Sequence, residues 1–330
     1  MHVVIPVAGL GTRLRPHTWS KPKPLVTVAG KPILGHVLDR LVRLPLETVV
    51  FVTGYLGEQI EEYVRSHYRF DARFVEQPEP LGQSHAVTQA KGLVTGSTLI
   101  VFPDLIFEAD LDALLSLDAD GAIFVKEVED PRRFGVVVTR DGRIAQLVEK
   151  PAMPVSNLAV VGLYYFRQIT ELFEAIEYQM EHDLRKSGEF YLADAIQRMI
   201  DTGSRFVSLP VTVWEDCGTV EALLQTNRYL LERQPQAPPS CPTAVIVPPV
   251  VIDPSARIEH AVIGPYVSIG SGACVSHAIV ADSIIDEGAT IASAILTRSI
   301  VGRRARVQGD PLRVNVGDSS EIVFSRADGA

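Results

Sequence analysis

The sequence is short of cysteine and contains no long apolar run. Its three cysteines, Cys217, Cys241 and Cys274, are far apart and match neither a zinc-ligand spacing nor a CxxC pair, so we expect reduced, unpaired thiols. No segment approaches the ~18 apolar residues that a membrane span needs. The N-terminus "MHVVIPVAGLGT" lacks the cationic start of a signal peptide. These absences predict a cytoplasmic protein with no membrane partner.

Positive charge is also in short supply, because 31 Lys and Arg stand against 40 Asp and Glu for a formal net charge of −9. This balance argues against nucleic acids and anionic membranes as partners, since both attract basic proteins. The N-terminal segment is the exception, because no acidic residue precedes Asp39. The cations of that segment are Arg13, Arg15, Lys21, Lys23 and Lys31. Such a local cluster is compatible with a small anionic ligand.

At 330 residues the chain is longer than one typical core, so we expect two domains. In its first part, β-branched runs alternate with helical patterns, which predicts a mostly parallel sheet covered on both faces. The predicted strands here are 2–8, 48–54, 72–77 and 98–104, and the predicted helices are 33–42, 57–66 and 83–94.

From about residue 121 the strand patterns follow one another more closely, which predicts antiparallel strands added to the sheet edge that shape a substrate pocket. These strands are 121–128, 135–139, 144–149, 158–166 and 205–214. The predicted helices are 168–185, 190–202 and 219–232.

A different rhythm follows a Pro-rich linker at 234–244. Between 245 and 310, aliphatic residues recur every five or six positions, a spacing that neither a helix nor an ordinary strand produces. They are Ile252, Ile258, Ile263, Ile269, Val275, Val280, Ile285, Ile291, Leu296, Val301 and Val307. A hexapeptide-repeat β-helix of roughly three to four coils explains the pattern. The C-terminal tail, 311–330, has no predicted role.

The segment "GLGTRLRPHTWSKPKP" at 9–24 holds two glycines among four cations. It fails the P-loop pattern because Thr12 and Arg13 follow Gly11, and it fails the dinucleotide pattern because Leu14 replaces the third glycine. A loop for a nucleoside triphosphate remains, in which backbone N–H groups approach the anion and Arg13 and Lys23 neutralise its oxygens. The alternative is a solvated loop without function.

Extended to "GLGTRLRPHTWSKPKPLVTVAGKPI", this stretch resembles the GxGTRxxP and KPxxxxxxxKP signature of sugar-1-phosphate nucleotidylyltransferases. Further motifs of that family occur in its order within 1–233: "EQPEPLGQSHAV", "VFPD", "FGVV", "VEKP", "GLYYF", "GEFYLADAI" and "WEDCGT". The resemblance implies an α/β fold with a Rossmann-like mixed-sheet nucleotidyltransferase domain at 1–233, followed by a C-terminal left-handed parallel β-helix. It also implies that a sugar 1-phosphate attacks the α-phosphorus of a nucleoside triphosphate and releases pyrophosphate.

The resemblance assigns roles to residues of both halves. Arg13 and Lys23 would be catalytic, with Arg13 on the β- and γ-phosphates and Lys23, rather than its neighbour Lys21, on the reacting phosphates. The nucleotide-binding residues would be Ala8, Gly9, Gly11, Thr12, Arg13, Gln77 and Gly82. Gln77 would read the edge of the base, and a polar turn between strand and helix is the alternative.

The same resemblance implies a Mg²⁺ cofactor held by Asp104 and Asp216. Asp216 could instead cap the helix predicted to start near Thr219. The residues that bind the sugar phosphate would be Gly135, Glu149, Lys150 and Gly162. For Glu149 and Lys150 an ion pair at a strand end is the alternative.

The exact substrates stay open. We expect dTTP or UTP and glucose 1-phosphate, as in glucose-1-phosphate thymidylyltransferases and UTP-glucose-1-phosphate uridylyltransferases, with mannose-1-phosphate guanylyltransferase as an alternative. A bifunctional enzyme with acyltransferase activity on the β-helix is disfavoured, because three to four coils leave little room for an acyl-CoA groove. Acyl transfer would also need an essential histidine on a long loop, whereas His260 and His277 lie in short connections. A non-catalytic relative that only binds nucleotide sugar is a further alternative. It is disfavoured because such a relative should have lost at least one of the four charged site residues, Arg13, Lys23, Asp104 and Asp216. We expect a homo-oligomer, because the open end of a β-helix exposes unpaired backbone.

Overall fold

The computed structural model describes residues 1–234 and 241–309. The predicted tail at 311–330 and most of the Pro-rich linker therefore lie outside the described residues. Within the described ranges, no helix has both the length and the apolar character needed to cross a membrane.

The N-terminal part contains six α-helices within the described residues. They are α1 (Ile33–Leu41), α2 (Gly57–His67), α3 (Gln83–Thr88), α4 (Ile169–Glu181), α5 (Leu192–Asp201) and α6 (Val220–Arg233). The strands of this part are β1 (His2–Pro6), β2 (Thr27–Val28), β3 (Lys31–Pro32), β4 (Val49–Thr53), β5 (Ala72–Glu76), β6 (Thr98–Val101), β7 (Leu105–Glu108), β8 (Gly121–Glu127), β9 (Val136–Arg140), β10 (Arg143–Val148), β11 (Leu158–Phe166), β12 (Phe206–Pro210) and β13 (Val213–Asp216).

A nine-stranded mixed sheet forms the centre of this part, in the order β10-β9-β11-β6-β1-β4-β5, with β8 also paired to β11 and β12 paired to β8. Strands β6, β1, β4 and β5 are parallel, and β11 runs antiparallel to β6. Helices α1 and α2 cover one face and α3, α4 and α5 the other, each over its own buried aliphatic core. The predicted mixed α/β fold is confirmed.

Two predicted strands were too long, and proline explains where each one breaks. The run 98–104 ends as β6 at Val101, and the run 205–214 ends as β12 at Pro210. Pro103 and Pro210 have no N–H to donate to a ladder, so neither strand continues beyond its proline. The helix predicted over 83–94 ends at Thr88.

The chain beyond these breaks forms a separate antiparallel pair, β7 with β13, that the sequence did not predict. In its register Asp216 lies opposite Leu105, and the Cys217 N–H donates to the Asp104 carbonyl at 3.0 Å. The pair thus brings Asp104 and Asp216 to the same end of one ribbon.

The C-terminal part consists of short parallel strands stacked in three four-stranded sheets. The strands are β14 (Val245–Ile246), β15 (Val250–Ile252), β16 (Arg257–Glu259), β17 (Val262–Ile263), β18 (Val267–Ile269), β19 (Cys274–Ser276), β20 (Ile279–Ala281), β21 (Ser283–Ile285), β22 (Thr290–Ala292), β23 (Ile295–Thr297), β24 (Ile300–Val301) and β25 (Arg306–Gln308). The described strands make four coils, and the predicted aliphatic residues form or border their core. This arrangement agrees with the predicted left-handed β-helix.

The β-helix packs on the N-terminal part through the sheet formed by β15, β18, β21 and β24. Ile284 of this sheet belongs to a buried cluster with Leu14, Val28 and Leu231. A polar contact also crosses the interface, where Ser268 Oγ donates to Asn227 Oδ1 of α6 at 2.6 Å. The same oxygen accepts from the Ala29 N–H at 2.8 Å within the N-terminal part. The segment after β1 is therefore packed directly against the β-helix.

Candidate active site

The glycine loop follows β1 at the carboxyl edge of the sheet, where parallel α/β sheets bind their ligands. Gly11 has φ of 61°, and a Cβ there would lie 2.9 Å from Lys23 Cβ, so a larger residue would both strain the backbone and displace the lysine. A short 3₁₀ helix, Thr12–Leu14, follows and carries Arg13. The Thr18 hydroxyl donates to the Gly11 carbonyl at 2.9 Å and ties the loop back on itself.

Beside this loop lies a cavity of about 380 Å³. Its lining includes nine of the residues predicted to bind nucleotide or metal: Ala8, Gly9, Gly11, Thr12, Arg13, Lys23, Gln77, Gly82 and Asp104. Residues that follow three parallel strands and residues of the loop thus meet at one place. Asp216 is not part of the lining, but Gly218, two residues further on, is.

The structure separates the two lysines that the sequence could confuse. Lys23 Nζ lies 2.8 Å from Asp104 Oδ2 on the cavity wall. Lys21 Nζ instead donates to both carboxylate oxygens of Asp286 in the β-helix, at 2.9 and 2.7 Å. Of the two, Lys23 faces the predicted metal ligand.

Arg13 and Asp216 lie next to each other at Gly218. A Cβ built on Gly218 would be 3.0 Å from Arg13 Nη2 and 2.9 Å from Asp216 Oδ1. Asp216 does not cap α6, because Thr219 does so by accepting from the Ala222 N–H at 3.2 Å. The capping explanation for Asp216 is therefore wrong, and its carboxylate is available for another role.

The donor set suits a small hard cation that also binds phosphate oxygens. No group of three or more His, Cys, Asp or Glu side chains that could hold a metal occurs in residues 1–234 and 241–309. Mg²⁺ is commonly held by one or two carboxylates together with substrate phosphates rather than by an all-protein cage. Asp104 and Asp216, at one end of the β7–β13 ribbon, offer that kind of set.

Gln77 and Gly82 also line the cavity. Gln77 Nε2 donates to the Gly82 carbonyl at 3.2 Å, which fixes the orientation of the amide. Gly82 has φ of 108°, and a Cβ there would lie 2.7 Å from the backbone N and O of Phe190. Glycine is required here because the segment containing Phe190 packs directly on it.

None of the four residues predicted to bind the sugar phosphate lines the cavity. Glu149 is largely buried, and burial raises the pKa of its carboxyl group. Its Oε1 lies 3.6 Å from Lys150 Nζ, so the ion pair proposed as an alternative is present. Gly135 packs on Glu149, and the Gly162 carbonyl accepts from the N–H of Phe102, which lines the cavity.

Comparison with known proteins identifies the N-terminal part. The family model described as nucleotidyl transferase matches residues 2–233. The chain belongs to the nucleotidyl transferase family.

Relatives within this family differ in how much of this chain they match. The "Bifunctional protein GlmU" of Methanocaldococcus jannaschii is 37% identical over 235 residues, which cover 71% of this chain and 55% of that protein. The chain thus spans about half the length of the first curated relatives it matches. A "Glucose-1-phosphate thymidylyltransferase" of Streptomyces antibioticus is 30% identical over 338 residues, which cover 93% of both proteins. A crystal structure of UDP-glucose pyrophosphorylase with UDP-glucose shares the fold, with a TM-score of 0.62 at 22% identity over 71% of this chain and 99% of that one.

In this member of the family, the cavity also has walls that the sequence did not predict. Glu189 and Phe102 line it, together with Pro80 and Gln83. Glu189 lies within "GEFYLADAI", a motif that carried the resemblance, so the signal was present without an assigned role. Phe102 likewise lies within the quoted motif "VFPD", but nothing in the sequence placed its ring on the cavity wall.

Proposed function

We propose that this chain is a sugar-1-phosphate nucleotidylyltransferase that condenses a nucleoside triphosphate with a hexose 1-phosphate. The observation that carries the proposal is the convergence of two cation–carboxylate neighbours, Lys23 with Asp104 and Arg13 with Asp216, beside one glycine-lined cavity. An oxygen of the sugar phosphate attacks the α-phosphorus, the bond from that phosphorus to the bridging oxygen breaks, and pyrophosphate leaves.

This reaction brings two anions together, so the protein has to position them and offset their charge. Arg13 presents a planar fork of N–H donors that suits the oxygens of the departing pyrophosphate. Lys23 contributes a compact charge to the phosphate under attack. The backbone N–H groups near Gly11 approach the same anion without a side chain in the way.

Asp104 and Asp216 would hold Mg²⁺, which when bound would polarise phosphate oxygens and offset their charge. The backbone hydrogen bond from the Cys217 N–H to the Asp104 carbonyl keeps the two residues at the same end of the ribbon. Without a cation, two carboxylates beside a triphosphate would repel it. The salt bridge from Lys23 to Asp104 reduces that repulsion before substrate binds.

For the substrates we propose dTTP or UTP with glucose 1-phosphate. The relative named glucose-1-phosphate thymidylyltransferase supports this choice, because it aligns with the β-helix part as well. Glu149 and Lys150 would then bind the sugar and its phosphate, and Gln77 the edge of the base. The bifunctional alternative has weaker support, because the GlmU relative aligns over 71% of this chain only.

The deciding experiment is a substrate panel. The purified chain with Mg²⁺ is given each of five nucleoside triphosphates with each of several hexose 1-phosphates, and pyrophosphate release is measured. We expect the highest kcat/KM for dTTP or UTP with glucose 1-phosphate. Absence of pyrophosphate release in every combination would overturn the proposal. Release of CoA from an acyl-CoA in a parallel assay would favour the bifunctional enzyme instead.

We also propose that the chain forms a homo-oligomer through its β-helix. The β-helix sheet of β15, β18, β21 and β24 is covered by the N-terminal part, and the sheet of β16, β19, β22 and β25 presents mostly polar side chains outward. On the third sheet, formed by β14, β17, β20 and β23, Val245, Ile279 and Ile295 are exposed and lie in one row. Sedimentation velocity on Ile279→Asp with Ile295→Asp should show a smaller species than wild type. Ser276→Asp on the polar sheet is the matched control, and an unchanged sedimentation coefficient in the aliphatic double variant would exclude this surface.

A further inference from the structure

The β-helix is joined to the glycine loop by a nearly buried ion pair between Lys21 and Asp286. Lys21 Nζ donates to both oxygens of Asp286, and the two side chains are only 11% and 17% exposed. Asp286 immediately follows β21 and also accepts from the Glu287 N–H at 2.8 Å, which fixes its orientation. A two-point hydrogen-bonded pair with little exposure holds its geometry far better than a surface pair does.

A second contact ties the preceding residues of the loop to the same part of the β-helix. The His17 ring packs on Gly302, where a Cβ would lie 3.2 Å from Nδ1. Burial lowers the pKa of His17, while the nearby Asp286 acts in the opposite direction. The segment from His17 to Lys21 is thus held at both ends by residues of the β-helix.

The position of Lys21 is passed on to Lys23 by a short and stiff connection. Pro22 and Pro24 flank Lys23, and each restricts its own backbone φ to a narrow range. A 3₁₀ helix, Lys23–Leu25, starts after Pro22, and the Leu25 N–H donates to the Pro22 carbonyl at 2.9 Å. Lys23 in turn reaches Asp104 on the cavity wall.

We propose that Asp286 of the β-helix is a positioning residue for the transferase reaction, which holds Lys23 in the cavity by anchoring Lys21. The inference rests on the proposed function for its kinetic consequence. It assigns to the β-helix a part in catalysis, although the β-helix contributes no residue to the cavity lining. Removal of the Asp286 charge would leave Lys21 without its partner in a poorly solvated place, so the lysine and the loop would move.

The same interface contains a matched control. Arg228 of α6 forms a two-point salt bridge with Asp282, which lies four residues before Asp286. The Asp282 side chain is nearly buried, whereas that of Arg228 is about half exposed. This salt bridge joins α6 to the β-helix and does not involve the glycine loop. The Arg228 guanidinium also stacks over the ring of Tyr266 in the β-helix. Asp282→Asn therefore weakens docking of the β-helix without acting on the glycine loop.

The test compares Asp286→Asn, Asp286→Glu and Asp282→Asn in the full chain by steady-state pyrophosphate release. We expect Asp286→Asn to lower kcat by about 10- to 100-fold with little change in KM for the sugar phosphate, as for a displaced catalytic group. Asp286→Glu keeps the charge and should recover much of the loss. Asp282→Asn should lower the unfolding temperature and leave kcat unchanged. Equal losses of kcat in the two Asn variants would overturn the proposal, and so would wild-type kcat in Asp286→Asn.

Two further measurements keep the proposal testable if a variant misfolds or wild type is inactive. Lys21→Gln removes the other partner and should give the same kcat loss, with no additional loss in the double variant. Hydrogen exchange of amides in 9–25 should be faster in Asp286→Asn than in Asp282→Asn, whether or not the protein turns over. Inactive wild type with this exchange difference would contradict the proposed function alone, whereas active wild type without it would contradict the positioning role alone.

Discussion

Lys23 and Asp104 form a 2.8 Å salt bridge although 81 positions separate them in the sequence. The lysine comes from the loop after β1, and the aspartate lies between the end of β6 and the start of β7. Their contact joins the cationic segment of an acidic protein to a carboxylate suited to a divalent cation. The proposed chemistry of the cavity depends on this junction.

Removal of either predicted metal ligand should abolish most of the activity. We expect Asp104→Asn and Asp216→Asn each to lower kcat on the order of 100-fold or more, the size of effect found for other preorganised charge-stabilising groups. Pyrophosphate release as a function of Mg²⁺ concentration is the measurement. The exposed Asp112→Asn is the control. If the aspartate variants need no more Mg²⁺ than wild type and keep its kcat, these residues do not hold the metal.

Arg13 should not be replaceable by lysine. Arg13→Lys keeps a positive charge but loses the planar fork, and loss of hydrogen bonds to charged groups costs about 1.5–3 kcal/mol. We therefore expect kcat/KM for the nucleotide to fall by about 10- to 100-fold. Arg15→Lys is the matched control, because Arg15 stacks on the exposed ring of Trp19 at 4.0 Å. Similar losses in both variants would show that total loop charge, rather than Arg13, matters.

The stability of the protein should decrease in mild acid, partly because of His36. Burial lowers the pKa of His36 below its usual value near 6.5, and its Nε2 lies 3.0 Å from the Val28 carbonyl oxygen. As the pH falls from about 6.5 towards the lowered pKa of His36, the unfolded chain binds more protons than the folded one. The free energy of unfolding therefore falls as the pH falls through this range. Urea unfolding between pH 7.5 and 5 should show a shallower decrease for His36→Gln than for wild type. Equal slopes would mean that His36 does not contribute.

The β-helix core should tolerate truncation poorly, and its outer face should tolerate it well. Ile291 is fully buried between Val275 and Val307, so Ile291→Ala should destabilise the protein by about 2–5 kcal/mol. Ile295 is 78% exposed, and Ile295→Ala should change stability by no more than about 0.5 kcal/mol in the isolated chain. Urea unfolding monitored by circular dichroism compares the two. A larger loss for Ile295 than for Ile291 would contradict the coil register.

The sequence was most informative where a structure depends on a local repeat. The aliphatic residue that recurs every five or six positions predicts the β-helix directly, because each short strand turns one aliphatic side chain into the core. The alternation of strands and helices in 1–110 similarly predicts the parallel sheet. The ends of two strands were predicted wrongly, and Pro103 and Pro210 show why. Both residues were visible in the sequence, but the new partners that the chain finds after each break were not.

The pairing of charges was outside the reach of sequence analysis. Lys21 and Lys23 are neighbours with the same chemistry, yet one binds the β-helix and the other faces the cavity. Counting along the motif favoured Lys23 for the predicted role, and of the two lysines it is Lys23 that lines the cavity. Nothing in the spacing indicated that Lys21 has Asp286 as a partner, because that pair spans two separately folded parts of the chain.

By itself the sequence determined the order of elements, the glycine loop and the repeating aliphatic core, since all three depend on residues close together along the chain. Only the tertiary structure decided which carboxylate meets which cation, that Thr219 rather than Asp216 caps α6, and that Lys21 pairs with Asp286 of the β-helix. Such contacts join residues far apart in sequence, and their geometry is set by how whole sheets and coils pack.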